Sequence, residues 1–172
     1  FGTPVGDAFD MDNLARNKYV ISVLESQGLI DDLLDAGQQI ASTMTELFAD
    51  LPAGHPFFEQ FSFISSDDLP EFQAVLTRIN RDGLGTLRPE ERTMILSLPF
   101  KISPARHRLG IIDEQLQDRI LVARKAFAEN LPEEYRGGIE FFDVDGFNTA
   151  ATLQDNILFG KLAYGQAGGA ER

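Results

Sequence analysis

The segment from Asp113 to Asn130 carries the helical signal that most constrains the fold of this chain. Its apolar residues follow one another at intervals of four, three and four positions: Leu116, Ile120, Ala123 and Phe127. These intervals place all four side chains on one face of an α-helix. Leu131 and Pro132 end the pattern. The segment therefore predicts an amphipathic helix and points to a helical fold class.

Similar spacing predicts further helices along the chain, over residues 10–28, 29–50, 65–81 and 86–98. A break is expected in the first of these near Asn17, and Gly28 is expected to end it. In the second, Gly37 costs about 1 kcal/mol relative to alanine and permits a break. Pro99 is expected to stop the last of them.

The remaining segments are less regular. The phenylalanine-rich run from Phe57 to Ile64 is expected to form a wedge between helices rather than a binding platform. Residues 139–142 fit a short strand, whereas residues 1–9 and 161–172 are expected to be irregular or frayed. We therefore predict a mostly α, compact domain of about seven helices over residues 1–172, with at most a short strand pair. Because the chain begins with Phe1 rather than Met, we expect a domain cut from a larger polypeptide.

The composition excludes several classes of partner. The formal net charge is −12, and nucleic-acid binding depends on neutralising phosphates with Lys and Arg. The same argument disfavours an anionic bilayer surface. The acidity indicates a solvated surface more than an acidic docking face. No apolar run is long enough to cross a bilayer and no cysteine is present, so we expect a cytoplasmic chain with no direct membrane insertion.

Motifs for catalysis or metal binding are not found in the sequence. There is no phosphate-binding loop that ends in Gly-Lys-Ser/Thr, and no Leu-Ser-Gly-Gly-Gln signature. Counting from Asp143, the positions of Gly146 and Gln154 do not fit a calcium-binding EF-hand loop, so a turn is the better interpretation. His55 and His107 are too far apart in sequence to be interpreted as a metal-binding pair. The fragment is therefore expected to hold no cofactor, although an enzyme that uses a carboxylate pair stays an alternative.

The C-terminal stretch from Ala151 to Gly160 is the part of the sequence most specific to a function. It contains Thr-Leu-Gln-Asp-Asn-Ile-Leu-Phe-Gly, which resembles the segment after the Q-loop in ATP-binding-cassette (ABC) transporter ATPases of the exporter type. In that family the segment opens the helical subdomain, which faces the membrane domain. The resemblance implies a partner interface at Asp155, Asn156 and Phe159.

Upstream of this stretch, fewer residues match the family. Val144 stands where the family has its Q-loop glutamine, although Asp145 and Phe147 match residues that often follow it. The implied role therefore does not include the glutamine contact with magnesium or the attacking water. Near the other end of the chain, residues 23–33 are similar to the helix that follows the motif in the family.

Together these features predict a helical accessory module of an ABC-type ATPase. The presumed parent would bind ATP and Mg²⁺, and the module would couple ATP binding and hydrolysis to a transmembrane transporter domain, without catalysis of its own. Its partners would be the rest of the ATPase and that domain, at the cytoplasmic face of the membrane. The rival hypothesis is an unrelated acidic α-helical protein-interaction domain.

Overall fold

The computed structural model describes residues 2–52, 55–61, 64–102 and 110–141. Helices, including short 3-10 turns, occupy 69% of these residues, so the predicted mostly α fold is confirmed. Two short strands accompany them: β1 (Gly2–Pro4) and β2 (Ile139–Phe141). The α-helices within the described residues number six, close to the predicted seven: α1 (Lys18–Ser26), α2 (Ile30–Phe48), α3 (Pro56–Phe61), α4 (Leu69–Asp82), α5 (Pro89–Lys101) and α6 (Glu114–Glu129).

The chain groups into two compact units. The larger one, Leu14–Asn130, contains all six helices, and the smaller one combines Phe1–Asn13 with Leu131–Arg172. No helix in the described parts of the chain is long and apolar enough to span a membrane.

The predicted break near Asn17 is the true start of α1. The Asn17 side chain accepts hydrogen bonds from the backbone N–H groups of Tyr19 (3.0 Å) and Val20 (3.2 Å), as an N-cap does. The α-helix therefore begins at Lys18, and the prediction of a helix from Asp10 was wrong. Gly28 follows the end of α1 with a φ of 62°, a left-handed conformation that glycine adopts without strain.

The core of the larger unit lies where α2 crosses α5. Gly37 does not break α2, because it lies where the two helix backbones approach each other. A Cβ at Gly37 would overlap the carbonyl oxygen of Ile95 and would lie 2.9 Å from the Ile95 Cγ2 atom. Fully buried apolar side chains from both helices surround this crossing: Leu34, Ile40, Ile95 and Leu98.

Pro99 does not stop α5, which continues to Lys101. Proline has no N–H group, so the Ile95 carbonyl receives no hydrogen bond from position 99. The same carbonyl oxygen faces Gly37 of α2. A Cα–H group of glycine can make a weak hydrogen bond with such an oxygen. The proline is therefore compatible with the last helical turn, because it leaves this carbonyl for the partner helix.

Five apolar residues form the buried face of α4, whereas Leu47 and Phe57 are exposed. Within α2, Leu47 is 64% exposed. In the phenylalanine-rich run, Phe58 is buried against Phe48 with ring centroids 4.8 Å apart, and Phe57 is 50% exposed. The side chains of residues 59–63 lie outside the described set. On α4 the buried residues are Leu69, Phe72, Val75, Leu76 and Ile79.

The smaller unit contains a two-stranded antiparallel sheet. Thr3 of β1 pairs with Glu140 of β2, so the predicted strand near residue 139 is confirmed. The expectation that residues 1–9 are irregular was wrong, because they contribute β1 and a 3-10 turn, Asp7–Phe9. Phe9 is 3% exposed and packs against Tyr135, with ring centroids 5.4 Å apart. Residues 161–172 lie outside the described part.

Candidate functional site

The residues predicted to form a partner interface lie outside the described residues. These are Asp155, Asn156 and Phe159, together with the rest of the 151–160 stretch. The interface therefore stays a prediction. The Asp143–Gly146 turn also lies outside, as does His107.

Among the described residues, a polar groove runs along the N-terminal half of α2. Asp32, Asp35 and Gln39 share one face of that helix, because their spacing of three and four positions is close to whole turns. The opposite wall comes from the start of α6 and the residues before it. The groove residues are Asp32, Asp35, Ala36, Gln39, Ile111, Asp113, Gln115, Leu116 and Arg119.

Arg119 joins the two walls of the groove. Its guanidinium Nη2 lies 2.8 Å from the Asp32 carboxylate and donates a hydrogen bond to the Gly28 carbonyl oxygen at 2.7 Å. Both charged side chains are 40% exposed, so solvent screens the pair and its free energy is about 0 to 1 kcal/mol. The contact therefore positions α6 at the corner between α1 and α2 more than it stabilises the fold.

The two other carboxylates in the groove differ in their partners. Asp113 is the N-cap of α6, since its Oδ1 atom accepts a hydrogen bond from the Leu116 N–H at 2.7 Å. Within the described residues, the Asp35 carboxylate has no hydrogen bond or ion pair, and it is exposed on the surface of α2. Among the described residues, Asp35 is thus the groove carboxylate without a side-chain partner.

The chemistry of the groove favours surface contacts over an enclosed ligand. Its volume is about 300 Å³, the lower end of the range for small-molecule pockets, and such pockets are mostly apolar. Here six of the nine lining residues are charged or carry amides. Across the described stretches, no three His, Cys, Asp or Glu residues are arranged to hold a metal ion. The groove can accept hydrogen bonds and ion pairs from a partner's side chains.

A buried charge on α5 has a structural role. Glu91 is 5% exposed, and Arg88 and Arg78 place guanidinium nitrogens 2.7 Å and 2.9 Å from its Oε1 atom. The Oε2 atom accepts from the Arg88 N–H at 3.0 Å. These hydrogen bonds from Arg88 lower the pKa of Glu91, and the charge of Arg78 adds to the effect. A perturbed carboxylate often marks a functional site, but here both oxygens are satisfied within the fold.

No protein-family model, curated protein or solved structure matches this chain. The groove was not predicted from the sequence. The available signal was the helical spacing of Asp32, Asp35 and Gln39, which the sequence analysis did not use. The second wall, with Arg119, comes from a distant part of the chain, and no local pattern indicates that these walls meet.

Proposed function

We propose that this chain is a helical accessory module of an ABC-type transporter ATPase. It couples ATP binding and hydrolysis in the rest of that ATPase to a transmembrane transporter domain. The observation that carries the proposal is the resemblance of the 151–160 stretch to the segment after the Q-loop in that family. A mostly helical fold is compatible with this role, since the segment opens a helical subdomain in the family.

The module is proposed to couple and not to catalyse. Phosphate binding in such ATPases needs a glycine-rich loop whose N–H groups and lysine hold the phosphates. The sequence contains no such loop and no signature motif. ATP and Mg²⁺ would therefore be bound elsewhere in the ATPase, and this chain would contribute contact surface.

The test is the substitution Phe159→Ala in the full ATPase, assembled with its membrane domain. Aromatic side chains dominate the free energy of protein interfaces, so loss of the ring is expected to uncouple transport from ATP hydrolysis. Substrate transport and ATPase rate are measured together in reconstituted vesicles. The ratio of transport to hydrolysis should fall, while ATP hydrolysis continues.

The matched control is Phe57→Ala, which removes another phenylalanine, one that is 50% exposed in the described structure. It should leave the coupling ratio unchanged. Thermal unfolding of the isolated chain covers the alternative that Phe159 is a core residue, since truncation of a buried phenylalanine costs about 3–5 kcal/mol. A strongly lowered melting temperature for Phe159→Ala would assign the residue to the core and remove the support for an interface.

The acidic groove favours a second candidate, a protein-interaction domain unrelated to ABC ATPases. Asp35 makes no ion pair among the described residues, and the net charge is −12, so a cationic partner segment would be complementary. Asp35→Asn should then weaken binding of the partner and lower its salt sensitivity, because one ion pair that salt screens is lost. Loss of coupling with Phe159→Ala and intact coupling with Asp35→Asn would favour the first candidate.

A further inference from the structure

Helix α6 carries a row of exposed side chains on the side that faces away from the core. Its buried residues are Ala123 and Phe127. Two positions along a helix correspond to a rotation of about 200°, so Leu121 and Lys125 point away from Ala123. Side chains three or four positions from these two lie on the same side of the helix. We call this surface the α6 outer face; its exposed residues are Glu114, Asp118, Leu121, Val122, Lys125 and Glu129.

Two adjacent apolar side chains lie at the middle of the α6 outer face. Leu121 and Val122 are 57% and 58% exposed. Single apolar side chains are common on protein surfaces, whereas a contiguous apolar patch with a polar rim marks a contact surface. Asp118 lies three positions before Leu121. Lys125 lies three positions after Val122. The face therefore has an apolar centre with a negative charge towards one end and a positive charge towards the other.

The order of these charges fits a second copy of the same helix. When two copies of α6 run antiparallel about a two-fold axis, the same residues meet in both directions. An axis between Leu121 and Val122 places each of these side chains against the other one in the second copy. It also places Asp118 of each copy against Lys125 of the other, so both contacts join opposite charges. A parallel pair would oppose like charges at both positions, which is unfavourable.

We propose that the α6 outer face is an interface between two copies of this chain, which pair antiparallel with Leu121 and Val122 at the two-fold axis. The proposal does not depend on the function proposed above, because it uses only the described residues of one helix. A contact of one helix per copy is smaller than the standard protein interface of about 1,200 to 2,000 Å². The association is therefore weak and reversible, and it depends on the concentration of the chain.

The inner charges favour this pairing more than the outer ones oppose it. Among the described residues the Asp118 carboxylate has no hydrogen bond or ion pair, so it is available to Lys125 of a second copy. In the same register, Glu114 of each copy lies opposite Glu129 of the other. Solvent screens these outer charges at the rim. The Lys125 Nζ atom also lies 3.8 Å from the Glu129 carboxylate of its own helix, which offsets part of that repulsion.

The experiment is sedimentation equilibrium of the whole chain at low salt, between about 10 μM and 1 mM, a range that covers weak association. The apparent mass should rise with concentration from that of one chain towards that of two. Leu121→Gln combined with Val122→Gln should raise the dissociation constant at least about tenfold, since each substitution occurs twice in a two-fold contact. The matched control is Leu47→Gln, which replaces an apolar side chain that is 64% exposed on α2 and should leave association unchanged.

Exchange of the two charges tests the antiparallel arrangement. Asp118→Lys alone and Lys125→Glu alone each turn both ion pairs into repulsive contacts, so each variant should associate about tenfold more weakly than the parent. An equimolar mixture of the two variants should associate as the parent does, because both contacts of the mixed dimer again join opposite charges. All the substituted positions are exposed, so the melting temperature of each variant should match that of the parent.

A chain that stays monomeric at every concentration would overturn the proposal and would leave the α6 outer face to a partner other than a second copy. Association that survives the double substitution at Leu121 and Val122 would overturn it as well, because the contact would then lie elsewhere. A mixture of the two charge variants that stays monomeric would show that Asp118 and Lys125 do not meet across the interface.

Discussion

At the scale of single residues, the buried carboxylate of Glu91 shows how one charge connects two helices. Arg78 lies on α4 and Arg88 immediately precedes α5, and both donate to Glu91. A buried charge is tolerated only when its partners replace the water that it loses. Removing Glu91 would leave two guanidinium groups without their shared acceptor. The role of Glu91 is therefore to hold α4 and α5 together, and not to take part in catalysis.

We predict that Glu91→Gln lowers the stability of the chain above the ordinary glutamate pKa of about 4.3. The pKa of Glu91 is lowered in the folded state, chiefly by hydrogen bonds from Arg88. Its contribution is thus fully present above the unfolded-state pKa and is lost as the pH falls through the lower folded-state pKa. Urea denaturation at neutral pH and at acidic pH measures the difference between the two proteins.

The control for this prediction is Glu90→Gln, which removes a charge from the same first turn of α5 at an exposed position. It should change stability only slightly and without the same loss on acidification. Equal effects of the two substitutions would show that the helix dipole, and not the buried hydrogen bonds, explains the role of Glu91.

At the scale of elements, Gly37 and Pro99 were both misinterpreted from local rules. Glycine and proline are poor residues for a helix interior, so Gly37 was interpreted as permitting a break and Pro99 was expected to stop its helix. In the fold, Gly37 lets α5 approach α2 closely, and Pro99 leaves the Ile95 carbonyl free of a bond from position 99. Whether each helix continues depends on the contact between the two helices. The helix propensities of residues along a single helix give no information about that contact.

Gly37→Ala is predicted to destabilise the chain although alanine is the better helix former. The gain in helix propensity is about 1 kcal/mol, whereas overpacking of a tight contact costs about 1–3 kcal/mol. The overlapping atom is a backbone oxygen, Ile95 O, which cannot rotate away, so the cost is expected to exceed the gain. Chemical denaturation gives the net change.

Gly85→Ala is the matched control, because a Cβ at Gly85 meets nothing within 4 Å. This variant should be close to the parent in stability. A Gly37→Ala variant more stable than the parent would show that the helices separate without cost, and that the close approach is not needed for the fold.

At the scale of the whole molecule, elements set by short-range signals were predicted and long-range pairings were not. The helices predicted over residues 29–50 and 113–130 depend on neighbours within two turns, and they occur as α2 and α6. By contrast, β1 was not predicted, because its three residues show no alternation of apolar and polar side chains that would indicate a strand. Their pairing partner β2 lies near residue 140. The polar groove was missed for the same reason, since Arg119 meets Asp32 only in the folded chain.

The charge of the whole chain leads to the last prediction, that the isolated chain does not bind Mg-ATP at micromolar strength. A triphosphate needs lysine, arginine or loop N–H groups to neutralise it. This sequence has 15 Lys and Arg against 27 Asp and Glu, and no phosphate-binding loop. Isothermal titration calorimetry should therefore show no saturable heat with Mg-ATP, and a titration with MgCl₂ alone separates any effect of the cation on the acidic surface. Saturable micromolar binding that needs the nucleotide would reveal an anion site in the chain. The proposed role of the chain would then have to include binding of the nucleotide as well as the coupling surface.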